Sequence, residues 1–142
     1  MIDPDLFSRL VEALGAKGLA LRFGMNAGMY DHNNLPVGYY VEDGRQTRKL
    51  VRNGGEGNFY LKPNGVFFLK GGRPQVMETD AFARARIAPD FATQSGPMLV
   101  IDGRIHPKFN EASENLKRRN GVGVVGEQAI FAIADLPVSF HH

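Results

Sequence analysis

The chain has 142 residues, 43% of them hydrophobic and 23% charged, values that fit one folded globular domain rather than a disordered segment. Its net charge is +2, with 17 basic against 15 acidic groups, and the only basic cluster, Lys117-Arg118-Arg119, reads as a solvated turn, so no nucleic-acid partner is expected. It contains no cysteine, which excludes disulfides, thiol nucleophiles and thiolate metal sites, and no apolar run approaches the roughly 18–20 residues that cross a bilayer. The first residues, Met1-Ile2-Asp3-Pro4-Asp5, lack the basic start and apolar core of a signal peptide, and this leaves the compartment undefined.

The first predicted element is a helix. Asp3 can cap it, Pro4 suits its first position, Leu6, Leu10 and Leu14 share one face, and Gly15 and Gly18 offer a stop. Leu19, Leu21, Phe23 and Met25 then alternate, which predicts a strand running into Asn26-Ala27-Gly28. Val37, Tyr39 and Val41 alternate before Asp43-Gly44, a hairpin signal. After the loop Asn53–Gly57, the run Phe59-Tyr60-Leu61, the turn Pro63-Asn64-Gly65 and Val66–Leu69 read as a second hairpin, ended by Gly71-Gly72. A second helix is predicted from a Thr79 cap to Ala88, ended by Pro89. Strands follow at Phe91–Gln94, Met98–Ile101 with the turn Asp102-Gly103, Val122–Val125 and Ala129–Ala134, and a polar excursion spans Pro107–Asn120. Both Leu19–Met25 and Ala129–Ala134 are apolar enough to be central in a sheet. Few helices among many hairpin-linked strands predict an α+β domain with a mainly antiparallel sheet. Ser139 has the look of a helix cap close to the end of the chain.

No GxSxG elbow, P-loop, HExxH or dinucleotide fingerprint is present. The histidines at 32, 106, 141 and 142 show no metal-ligand spacing; the last two, adjacent at the end of the chain, are not read as a site. What remains is a set of polar residues beside glycines at strand ends: Asn26, Asn58, Lys62, Ser95 and Arg119. Turn chemistry alone explains Asn and Gly singly. It does not require Asn-Ala-Gly directly after a strand, a lysine, an arginine and Ser-Gly-Pro together.

The runs Met25–Tyr30, Gly57–Phe67 and Ala92–Val100, with Arg119-Asn120-Gly121-Val122-Gly123, resemble a bacterial branch of the phosphodiester glycosidase family, and the resemblance covers essentially the whole chain. It implies hydrolysis of a sugar–phosphate diester at the anomeric carbon and a glycosyl phosphodiester, or related carbohydrate, as partner. By the same resemblance Asn26, Ser95 and Arg119 carry catalysis, while Gly28, Asn58, Lys62, Asn64, Gln94 and Gly96 bind substrate. No cofactor or metal is assigned. Arg119 could hold the phosphodiester bidentately, and Lys62 could meet it as a point charge. Acid–base candidates from composition are Asp31, His32, Glu42 and Glu56, and no spacing singles one out.

Members of the family are often exported. They usually carry strands before the first helix and, past the point matched by His142, a helix followed by an Asp-Gly-Gly segment that adds polar residues to the site. The single domain 1–142 is therefore expected to be incomplete at both ends. Two readings stand beside the hydrolase: a non-catalytic carbohydrate- or phosphate-binding module, and a fragment that covers an open sheet edge by forming a two-fold homodimer.

Overall fold

A computed structural model describes residues 4–142, so Asp3, the expected cap, lies outside the described residues. Helix α1 spans Pro4–Gly15. It closes with the paired bonds Leu19 N to Leu14 O (2.9 Å) and Gly18 N to Gly15 O (2.9 Å), with Gly18 at φ 69°. That is the glycine-terminated helix end in which a left-handed residue lets two orphan carbonyls find donors. Residues 19–29 join no sheet, against the predicted strand at Leu19–Met25. Phe23 uses its aromatic face instead, 5.9 Å from Phe131.

The main sheet has five strands in the order β2-β1-β5-β3-β4, every neighbouring pair antiparallel. Its strands are β1 (Tyr40–Glu42), β2 (Arg45–Arg48), β3 (Gly65–Lys70), β4 (Arg73–Glu78) and β5 (Phe91–Ser95). Two of its turns place both central residues at positive φ: Asp43 and Gly44 at 49° and 73°, Gly71 and Gly72 at 57° and 76°. Such turns carry the twist that flanking antiparallel strands need, and Asp-Gly and Gly-Gly adopt them at little cost. The same device at Asp102 and Gly103 joins the short strands β6 (Val100–Ile101) and β7 (Arg104–Ile105). The domain is thus α+β and mainly antiparallel, as expected.

Helix α2 (Thr79–Ala85) follows β4 and lies on one face of the sheet. Phe82 fills the core there, its ring 5.4 Å from Tyr39 and 5.2 Å from Phe68, with Val41, Val66 and Ala92 buried around them. The helix is capped by the side chain of Glu78, which accepts from Ala81 N at 2.9 Å, so Thr79 is released for another task. It ends at Arg86, in the left-handed region at φ 52°, earlier than the predicted Ala88.

Two further expectations change. Asn58–Tyr60 form a 3-10 turn rather than a strand, so β3 pairs with β4 across Gly71-Gly72 instead of with Phe59–Leu61. The hairpin β8 (Asn120–Val125) and β9 (Gln128–Ile133) stands as its own two-stranded sheet. Ile130, Phe131 and Ile133 on it are about half exposed, so β9 is not central in any sheet. The hairpin leans over the face of the main sheet turned away from α2, where Phe131 meets Phe67 at 5.9 Å.

Candidate active site

One end of the main sheet is organised by three buried polar side chains, Gln94, Asn64 and Thr79, none more than 1% exposed. Gln94 Oε1 accepts from Tyr39 N (3.1 Å) and Val51 N (3.0 Å), while Nε2 donates to Val51 O (2.7 Å) and Thr79 Oγ1 (3.1 Å). Thr79 Oγ1 lies 2.8 Å from Asn64 Oδ1, its acceptor, and Asn64 Nδ2 donates to Phe59 O at 2.9 Å. Lys62 Nζ adds a bond to Asn64 Oδ1 at 3.0 Å. No buried side-chain polar atom among the described residues is left without a partner, as low-dielectric surroundings demand. Four segments, around Tyr39, Val51, Asn64 and α2, are thereby fixed to the end of β5.

Close backbone packing continues the assembly. A Cβ on Gly96 would stand 2.6 Å from Phe59 O and 2.7 Å from the Cβ of Asn64, and one on Gly28 would stand 2.7 Å from Thr93 Oγ1. Gly28 and Gly96 are therefore glycines because protein, rather than ligand, occupies the space. Asn26 donates to Gly28 O at 3.2 Å and accepts a hydrogen bond from Asn120 Nδ2, which ties the start of β8 to residues 26–28.

Arg119 departs to the other side. Asn120 turns toward Asn26, whereas Arg119 Nε donates to Val138 O and Nη2 to Asn115 O, each at 3.0 Å. Its guanidinium carbon sits 3.7 Å above the centre of the Phe140 ring. Phe140 stacks on Phe109 (5.2 Å, 16° between planes) and Phe109 on His106 (4.8 Å, 22°), forming a column of three rings under the cation. His106 is 1% exposed and anchors the column. Lys108 N donates to its Nδ1 at 3.1 Å, so Nε2 carries the proton and donates to Lys62 O at 3.1 Å. Burial lowers the Arg119 pKa from the usual guanidinium value, yet the group remains a cation. It makes no ion pair among the described residues.

Beside this column opens a cleft of about 160 Å³, lined by Leu61, Lys108, Phe109, Asn110, Ser113, Asn115, Arg119, Phe140 and His141. Two cations, amides, a hydroxyl and an imidazole on an aromatic base make a surface suited to an anionic, hydroxylated ligand. Of the nine residues to which the resemblance gives catalytic or substrate-binding roles, Arg119 alone lines this cleft. Asn64 and Gln94 are both buried and hydrogen-bonded to backbone and side-chain partners. Asn58 is exposed and Ser95 half-buried, at adjoining positions, and neither side chain makes a hydrogen bond among the described residues. Lys62 turns inward to Asn64. Lys108, Phe109, Phe140 and His141 were not legible as site residues; the alternation and glycine flanks that drew attention elsewhere are missing from 106–118 and 137–142.

The four acid–base candidates lie away from the cleft lining. Asp31 Oδ1 accepts from Asn33 N (2.8 Å) and Leu35 N (3.0 Å), and the Leu35 amide above all holds its carboxyl below the ordinary value. Glu42 lies opposite Arg45 in the β1–β2 register, at the end of β1 remote from Ser95. His32 and Glu56 are exposed on turns. No group of three or more His, Asp or Glu among the described residues could hold a metal ion, and no helix there is long and apolar enough to cross a membrane.

The chain is similar to the "Uncharacterized protein YigE" of Escherichia coli strain K12, with 37% identity over 122 residues. That stretch covers 85% of this chain and 48% of the relative, so the chain spans about half the relative's length. No solved structure matches it. The phosphodiester glycosidase family model matches residues 20–139, a span holding the polar network, two of the three stacked rings and all of the cleft residues but Phe140 and His141. With most of its length covered by that match, the chain belongs to the phosphodiester glycosidase family.

Proposed function

We propose that the protein hydrolyses a glycosyl phosphodiester, with the phosphate seated in the cleft beside Arg119. One observation carries this reading. Arg119 is aimed by two backbone carbonyls and an aromatic face rather than by a carboxylate, so its charge stays uncompensated next to Lys108. The chemistry rewards such a cation. Breaking the bond between the anomeric carbon and phosphate raises the charge on the phosphate from about −1 to about −2 as the monoester forms. Fixed cations then stabilise the departing group more than the bound diester, which is the condition for catalysis rather than mere binding. Asn58 and Ser95, whose side chains make no hydrogen bond among the described residues, are assigned to sugar hydroxyls. Asn26 keeps a positioning role through Asn120.

The test is a pair of measurements on the full chain with methyl α-D-glucosyl phosphate. Proton NMR follows release of sugar, and calorimetry follows binding. Arg119→Lys should weaken binding by about 1.5–3 kcal/mol, because a point charge cannot reproduce the planar fork. Binding without cleavage by the unaltered protein would favour the binding-module reading. Unchanged affinity in a folded Arg119→Lys protein would remove Arg119 from the site.

A further inference from the structure

The cleft holds an imidazole that the fold leaves unused. The chain turns at Ser139, 2% exposed, whose hydroxyl oxygen accepts from His141 N (3.1 Å) and His142 N (3.4 Å) and bonds the His142 ring at Nδ1 (2.9 Å). His142 is thereby tied back. The His141 ring meets His142 edge-on at 6.4 Å, but neither of its nitrogens has a hydrogen-bond partner among the described residues. His141 is half-buried in the wall of the cleft that contains Arg119 and Lys108. His106, the other nearby imidazole, has both nitrogens engaged, by Lys108 N and Lys62 O. Asp31, His32, Glu42 and Glu56 do not line the cleft. A group with a free lone pair, positioned by a buried serine and facing the anion site, is the arrangement that proton transfer requires.

We propose that His141 is the general base of the reaction, an assignment that rests on the hydrolase reading above. A ring nitrogen takes a proton from water, and the water oxygen forms a bond to the anomeric carbon. The bond from that carbon to the phosphate oxygen breaks, and its electron pair leaves with the phosphate. The products are a free sugar, a phosphomonoester and a protonated His141, which returns its proton to solvent. The phosphate needs no proton to depart, since it is a weak base held by Arg119 and Lys108. Water, by contrast, is a poor nucleophile until deprotonated, so one proton-transfer group suffices. A single displacement of this kind inverts the anomeric configuration.

The experiment compares the unaltered chain with His141→Ala, His141→Gln and the control His142→Ala, using methyl α-D-glucosyl phosphate and NMR detection of the first-formed anomer. His141→Ala and His141→Gln should lower kcat by roughly 100- to 10,000-fold with KM changed by less than about threefold, the span expected for losing a general base. Added imidazole should restore part of the rate to His141→Ala, and the first-formed sugar should be the β anomer. His142→Ala should stay within about threefold of the unaltered protein. Circular dichroism checks that each variant folds, and His141→Gln serves if the alanine variant does not. An unaltered chain that leaves the diester intact would overturn both readings. If it cleaves the diester and a folded His141 variant is as fast, gains nothing from imidazole or gives the retained anomer, the His141 assignment alone falls.

Discussion

Replacing Gln94 with methionine keeps the volume of the side chain while removing all four of its hydrogen bonds. Tyr39 N, in a buried residue, then faces an apolar group, and such an orphaned donor costs about 1–3 kcal/mol. Val51 is half-buried, so water can reach its N–H and C=O, and about 2 kcal/mol for the two together is appropriate. Thr79 Oγ1 loses one incoming bond but still donates to Asn64. The sum is about 3–5 kcal/mol, a large share of the 5–15 kcal/mol that holds a typical domain. At about 3 °C per kcal/mol for a chain of this size, Tm should fall by about 9–15 °C. Urea unfolding followed by circular dichroism measures the loss directly. A loss under about 1 kcal/mol would refute the argument that this amide pins the loops. Normal stability with lost affinity for methyl α-D-glucosyl phosphate would return Gln94 to the ligand.

Gly96→Ala should destabilise by about 1–3 kcal/mol in the same assay, because its methyl group must displace the backbone of Phe59 or the side chain of Asn64. Phe140→Leu should leave Arg119 charged but poorly aimed, weakening diester binding about threefold to tenfold by calorimetry, whereas Phe140→Trp should preserve it. Three carboxyls sit below their ordinary value of 3.8: Asp31 through the Leu35 amide, Asp80 through the Arg52 side chain and Asp90 through the Gly71 amide. Each therefore contributes stability above its unfolded value that is lost as pH falls through the lower folded value. Unfolding midpoints should drop below about pH 4, and more shallowly in a protein carrying asparagine at all three positions.

Turns were the most legible part of the sequence. Asp43-Gly44 and Asp102-Gly103 declare themselves because positive φ at two successive positions is tolerated by very few residue pairs. Alternation at Leu19–Met25 was misleading for a physical reason: it reports that one side is apolar, and Phe23 satisfies this against Phe131 without any strand partner. The aromatic run at Phe59 was overridden by Asn64, whose amide captures the Phe59 carbonyl and curls the chain. At the site, Arg119 stood out by its glycine neighbours. Gln94 and Asn64 entered only through the family resemblance, and a polar residue at a strand end reads the same whether it meets a ligand or a backbone amide. Only burial separates the two cases. Lys108 and His141 could not be found in advance, because the rings that bring them to Arg119 are distant in sequence and follow no period.

The wall of the cleft between Pro107 and Arg119 has a weaker hold on the molecule than the sheet has on itself. It is fastened by the Phe109–Phe140 stack, the His106 bonds and the two backbone bonds between Lys117 and Val138, and most of its residues are exposed. Strand β3, by contrast, is bonded on both sides and buried at its centre. Segments that differ so much in enclosure open separately, and the lesser one opens at a fraction of the free energy of global unfolding. Amides of 107–119 should thus exchange with solvent deuterium well ahead of those in β3. The guanidinium, which takes its aim from carbonyls at Asn115 and Val138, would lose that aim whenever the wall lifts, so its readiness for an anion runs on the clock of local opening rather than on that of side-chain rotation.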